Sequence, residues 1–119
     1  MGMNGLDSVQ PGSMYTVQIV DGREVTFDEE GFLLDPDLWN ERLAEMLALE
    51  DGLPELSTIH WHVISFLREY YFANGKAPLN SELRKGTGLS LSEIEAGFPR
   101  GIRQGARRLA GLPNPRGCA

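Results

Sequence analysis

From Tyr15 the chain reads Tyr-Thr-Val-Gln-Ile-Val and then Arg-Glu-Val-Thr-Phe, two β-rich runs of mixed apolar and polar residues with Asp21-Gly22 between them. Asp-Gly accepts the positive φ values of a tight type I′ turn, so the stretch predicts a β-hairpin. Asp28-Glu29-Glu30-Gly31 breaks the second strand, and Phe32-Leu33 is expected to tuck back beneath it. From Asp35 the period becomes helical. Asp35 suits the N-cap and Pro36 the first helical position, and Leu38, Trp39, Leu43, Met46 and Leu47 share one face opposite Glu41, Arg42 and Glu45. This predicts one helix that starts at Asp35-Pro36 and stops at Asp51-Gly52-Leu53-Pro54.

A longer helix is expected from about Ser57 through His60, Trp61, Ile64, Leu67, Arg68, Tyr71 and Phe72 to Asn74-Gly75. Its aromatic load marks it as the central core helix. Pro78 is expected to open a shorter helix through Leu83 that ends at Gly86-Thr87-Gly88. Ser90 and Glu93 stand at capping-box spacing and start another, to about Ala96, before Gly97-Phe98-Pro99 interrupts. A last helix spans roughly residues 100–110, with Ile102, Ala106 and Leu109 inward and Arg100, Arg103, Arg107 and Arg108 left largely outward. Gly111 and Pro113 end it. The pattern describes a mostly α (α+β) chain: residues 1–14 as a disordered lead or an added remnant, a domain over 15–110 made of a β-hairpin and about five helices, and a mobile C-terminal arm over 111–119.

Composition narrows the class. At 119 residues, 41% hydrophobic and 24% charged, the chain has the size and make-up of one globular domain. No apolar run approaches the ~18 residues of a membrane helix, so no membrane partner is expected. The start lacks a secretory pattern and the chain holds one cysteine, which fits a cytoplasmic, reducing setting. Charge is uneven. Residues 1–95 hold all 17 acids and 6 of the 11 bases, whereas residues 96–119 hold Arg100, Arg103, Arg107, Arg108 and Arg116 and no acid. Such asymmetry speaks to partners and local anions.

Cys118 is the one nucleophile with an unusual setting. It stands one residue from the end of the chain after Pro113-Asn114-Pro115-Arg116-Gly117. A thiol reacts as thiolate and must be reachable; Arg116 favours the thiolate and the terminal carboxylate opposes it. His60 and His62, two apart on a helix, point to different sides and do not jointly chelate a metal. With one Cys and two His no zinc-type ligand set exists, and no glycine-rich phosphate loop is present, so no metal or cofactor is expected.

Gly111-Leu112-Pro113-Asn114-Pro115 followed by Gly117-Cys118 and one last residue resembles the C-terminal signature of the DsrC/TusE/DsrC-like family. Phe98-Pro99-Arg100-Gly101, Gly31-Phe32-Leu33 with Trp39, and His60-Trp61 with Phe66-Leu67-Arg68-Glu69-Tyr70-Tyr71 match in order, so the similarity spans about residues 15–119. The resemblance implies a small helical domain with a hairpin and a mobile arm, and a persulfide carried on the penultimate cysteine, here Cys118. The partners it implies are donors of the TusBCD, DsrEFH, TusA or rhodanese kind. The acceptor would be a thiouridylase or a sulfur-redox enzyme. The arginines, Arg116 included, are candidates for docking an acidic partner or steadying the anionic persulfide. Two-cysteine members carry a second arm cysteine eleven positions earlier, where this chain has Arg107, so a one-cysteine, TusE-like member is expected. Residues 79–97 are shorter than usual for the family, Asn80 and Ser81 stand where a basic residue follows the proline, and Ile102 replaces a proline. Rival expectations are an accessory or regulatory subunit of a sulfite-reducing or sulfur-oxidising system, and a winged-helix-like nucleic-acid module, which the overall charge of −6 disfavours.

Overall fold

The computed structural model describes residues 15–114; the expectations placed on 1–14 and on 115–119, Arg116 and Cys118 among them, lie outside the described residues. Strands β1 (Thr16–Val20) and β2 (Arg23–Phe27) pair antiparallel, Thr16 opposite Phe27 and Val20 opposite Arg23. Asp21 at φ 53° and Gly22 at φ 78° make the turn, as the Asp-Gly pair predicts. Past Phe27 the buried Asp28 carboxylate accepts hydrogen bonds from the Glu30 and Phe32 N–H groups at 2.9 and 3.0 Å. That local turn brings Leu33 back beside Phe27, and Phe32 and Leu33 are fully buried.

The first helix differs from the expectation. Asp35 and Pro36 open only a single 3₁₀ turn, Pro36–Leu38, with Asp35 accepting from the Asp37 N–H at 3.0 Å. The chain is extended again at Trp39, and α1 (Glu41–Glu50) begins afresh on Asn40, whose side chain accepts from the Leu43 N–H at 2.8 Å. Two good caps lie five residues apart, and the break between them swings Trp39 out of the α1 face. Its indole N–H then donates to the Leu109 carbonyl, 70 positions away, at 2.8 Å.

Helix α2 (Thr58–Asn74) runs as expected from its Ser57 cap to Gly75 in the left-handed region. Its buried stripe is Val63, Ile64 and Leu67, while Trp61, Phe66 and Tyr71 pack only partly buried at the margins and Phe72 is exposed. Helix α2 therefore meets the core through aliphatic side chains, with its own aromatics along the edges, while the buried aromatics Phe27, Phe32 and Phe98 come from other segments. Helix α3 (Asn80–Thr87) starts two residues after the buried Pro78, with Glu82 accepting from the Leu79 N–H at 2.8 Å. Helix α4 (Leu91–Gly97) has the capping box its sequence predicts, Ser90 and Glu93 each accepting from the other's N–H.

The last helix, α5 (Ile102–Arg107), is wound in π fashion. The Leu112 N–H reaches the Arg107 carbonyl five residues back at 3.2 Å. Ile102, Ala106 and Leu109 face inward, as their spacing predicts. The chain stays packed beyond the helix, with Gly111 and Leu112 buried. Among the described residues no helix is long and apolar enough to cross a membrane.

Candidate functional site

Everything that leads to Cys118 passes through the end of α5, and that end is held by side chains from two distant elements. A helix leaves its last carbonyls without intrahelical partners. Here the Leu109 carbonyl accepts from the Trp39 indole, and the Ala110 carbonyl accepts from Arg68 Nη1 at 2.9 Å. The Arg68 guanidinium lies 4.2 Å from the Trp39 ring centre and 5.0 Å from that of Phe72, and its Nη2 also donates to the Pro36 carbonyl at 3.2 Å. Partial burial pulls the Arg68 pKa below its usual value, with Asp37 opposing, and the group stays a cation. Gly111 follows at φ 74°, so close to the indole that a Cβ there would enter the ring. Only glycine fits both demands.

The next residue to be fixed is Asn114. Its Oδ1 accepts from Arg103 Nη2 at 2.8 Å and its Nδ2 donates to the Asp28 carboxylate at 3.0 Å. Arg103 also pairs with Glu30 at 3.1 Å. Desolvation, the largest single influence on the Glu30 carboxyl, pushes its pKa up. Hydrogen bonds from Gln104, Arg103 and Asn114, with the Arg103 charge, outweigh that and leave it below its usual value.

The expectation of an outward arginine face holds for Arg100 and Arg103 and fails at Arg108. Arg108 is 2% exposed and bonded to the buried Asp51 carboxylate, which also meets Arg100 at 3.5 Å; Glu50 lies 3.8 Å from Arg108. Burial lowers the Arg108 pKa and Asp51 raises it in return. The reason for the failure is that the π winding and the packing of Leu109 turn Arg108 toward the end of α1, where a C-terminal acid awaits it. Arg107 is half-buried and donates through Nη2 to the Pro78 carbonyl at 2.8 Å. Arg116 and Cys118 lie outside the described residues.

The two histidines hold joints. His60 Nδ1 accepts from the Ser57 N–H at 2.9 Å, so Nε2 carries the proton and donates to the Gly97 carbonyl, tying α2 to α4. His62 Nε2 donates to the Thr87 carbonyl at 2.9 Å. The sequence placed Trp39 and Arg68 on helical faces and in the family-like segments, Asp28 in a strand-breaking turn and Asn114 in the C-terminal signature, and gave none of them a contact in the site. The cue for Arg68 was a cation inside an aromatic run, and for Asp28 an Asx-turn acid before Gly31.

A hairpin on a five-helix core, with a clamped final helix and one cysteine a few residues past it, defines a small domain that carries a single thiol in its terminal segment. Residues 19–119 match the family model described as DsrC like protein, and the chain belongs to that family. It is 41% identical over 97 residues to the dissimilatory-type sulfite reductase subunit gamma of Nitratidesulfovibrio vulgaris, covering 82% of this chain and 92% of that one. It is 35% identical over 107 residues to the sulfurtransferase TusE of Salmonella choleraesuis, covering 84% and 97%. A chain in the crystal structure of dissimilatory sulfite reductase I superposes with a TM-score of 0.81 at 39% identity, over 87% of this chain and all of that one. The fold implied by the C-terminal signature is the fold observed.

Proposed function

We propose that the protein is a sulfur carrier that holds one sulfane sulfur on Cys118 as a persulfide. The observation that carries this reading is the single thiol of the chain, Cys118, placed inside the matched family segment; the resemblance puts Arg107 where two-cysteine members have their second cysteine. Relatives named as a sulfurtransferase and as a sulfite reductase subunit support it. In loading, the Cys118 thiolate attacks the terminal sulfur of a donor persulfide; the donor S–S bond breaks, the donor leaves as thiolate, and the new S–S bond is on Cys118. Delivery repeats the exchange in reverse, and no net oxidation occurs. Without a second cysteine the chain cannot expel its sulfur by closing an internal disulfide, so release waits for an acceptor's thiol or redox centre.

The setting is a cytoplasmic relay, between a sulfurtransferase donor and either a thiouridylase or an enzyme of dissimilatory sulfur metabolism. A nucleic-acid interface has little support: Arg108 is buried and Arg103 is paired with Glu30, which removes much of the basic face that phosphate binding needs. Incubation with a persulfidated sulfurtransferase or with polysulfide, followed by intact-mass measurement, should show one added sulfur that reductant removes. Cys118→Ser should show none. A wild-type chain that accepts no sulfur from either donor overturns the reading.

A further inference from the structure

A groove of about 430 Å³ lies beside the end of α1, lined by Leu49, Leu53, Pro54 and Leu56 and by Glu45 and Glu55. Local backbone chemistry builds it. The Leu53 N–H donates to the Ala48 carbonyl at 2.8 Å and the Gly52 N–H to the Leu49 carbonyl at 3.0 Å, with Gly52 at φ 87°. This pair of bonds is the Schellman end of a helix, and it folds the chain back along the helix it has just left. Leu53 and Leu56 are partly buried against the core, while Leu49 stays 62% exposed. One exposed leucine is ordinary, but a leucine beside a groove lined by three more apolar residues forms a patch.

Charge gives this patch a direction. Glu41, Glu45 and Leu49 recur at every fourth residue of α1, so they stand in one row, about 6 Å apart along the helix. All three are exposed. Among the described residues, Glu41, Glu45 and Glu55 take part in no ion pair or side-chain hydrogen bond. No cation lines the groove among those residues, and Arg42, nearer the start of α1, is paired with Asp21 at 3.3 Å. The face shares no residue with the clamp on α5 or with the network around Asn114.

An acidic row that runs into an apolar groove repels nucleic acid and anionic lipid alike. A second copy suits it poorly. The exposed apolar and basic residues a copy could offer, Leu79 and Lys76, lie on another surface, so self-association would run head to tail between molecules of charge −6. We propose that this face of α1 docks a basic amphipathic helix of a partner protein, its apolar residues in the groove and its Lys or Arg side chains on Glu41 and Glu45. Cations four residues apart on such a helix repeat the spacing of the acidic row. Docking here does not depend on the sulfur-carrier reading, which uses none of these residues.

Fluorescence anisotropy with the full-length protein tests it, the probe being a labelled helical peptide with leucines at i, i+4 and i+7 flanked by lysines. Saturable binding is expected, and much weaker binding by a scrambled peptide of the same composition. Glu45→Lys should weaken binding about tenfold at low salt, a loss that shrinks as salt is added. Leu49→Ser should weaken it about tenfold at every salt concentration, because the contact it removes is apolar. Glu69→Lys makes the same charge change at an exposed position of α2 and should alter binding by no more than about twofold. No binding, equal binding of the scrambled peptide, or an equal loss in Glu69→Lys overturns the proposal. So does undiminished binding in both Glu45→Lys and Leu49→Ser. A dimer in sedimentation that Leu49→Ser dissociates overturns it too, since a second copy would then cover the groove.

Discussion

Arg107 and Arg108 are neighbours in sequence and leave the last helix toward different parts of the molecule. On the α1 side, the buried Arg108 and Asp51 side chains satisfy each other, with Arg100 and Glu50 completing the cluster. On the α2–α3 side, Arg107 is half-buried and donates to the Pro78 backbone carbonyl at the wall of a groove. One cation is buried against a carboxylate at the end of α1; the other ties the last helix to the turn before α3. A buried pair holds because both charges were desolvated together, and it has little left to offer a partner. A half-buried guanidinium on a backbone carbonyl has no buried countercharge to satisfy and is desolvated less. The count of arginines in the tail therefore overstates the surface available for docking.

The contrast predicts unequal costs. Arg108→Met removes one side of the buried pair and should cost about 3 kcal/mol in urea unfolding, the lower end of the range for orphaning a buried charge because Arg100 remains beside Asp51. If it costs no more than a surface substitution, the α1 cluster is not a structural clamp. Gly111→Ala tests the other holder of α5. Its backbone lies in the left-handed region and its Cβ would displace the Trp39 ring, so a loss of about 2 kcal/mol is expected, with a shift of tryptophan emission. An unchanged emission maximum would mean the indole is not seated on Leu109.

The smallest effect is one of pH. Glu30 has a folded pKa below its usual 4.5, so its stabilising contribution is complete above that value and is lost as pH falls through the lowered folded value. Stability measured between about pH 5 and pH 3 should fall with a steeper slope in the wild type than in Glu30→Gln. Equal slopes would show that the Arg103–Glu30–Asn114 network does not persist in solution.

The hairpin, the Ser57 and Ser90 caps, the inward face of Ile102, Ala106 and Leu109, and the isolation of Cys118 were all legible along the chain. Each depends on backbone hydrogen bonds or side-chain spacing within about four residues, the range over which propensity and capping act. The break at Trp39 was not, because a local cap at Asp35 and another at Asn40 are equally good, and the choice between one helix and two was made by the indole's bond to Leu109. The burial of Arg108 depended on Asp51, 57 residues away, and the anchoring of Asn114 on Asp28, 86 residues away.

What the sequence determined by itself is therefore the set of local elements and the chemical limit on the arm: one thiol, no second cysteine at Arg107, and so no disulfide within the chain. What tertiary structure alone decided is how the four described arginines, Arg100, Arg103, Arg107 and Arg108, divide between buried and exposed settings, and where the last helix ends. The physical reason is that charge and hydrophobicity are properties of a residue, whereas desolvation is a property of its surroundings.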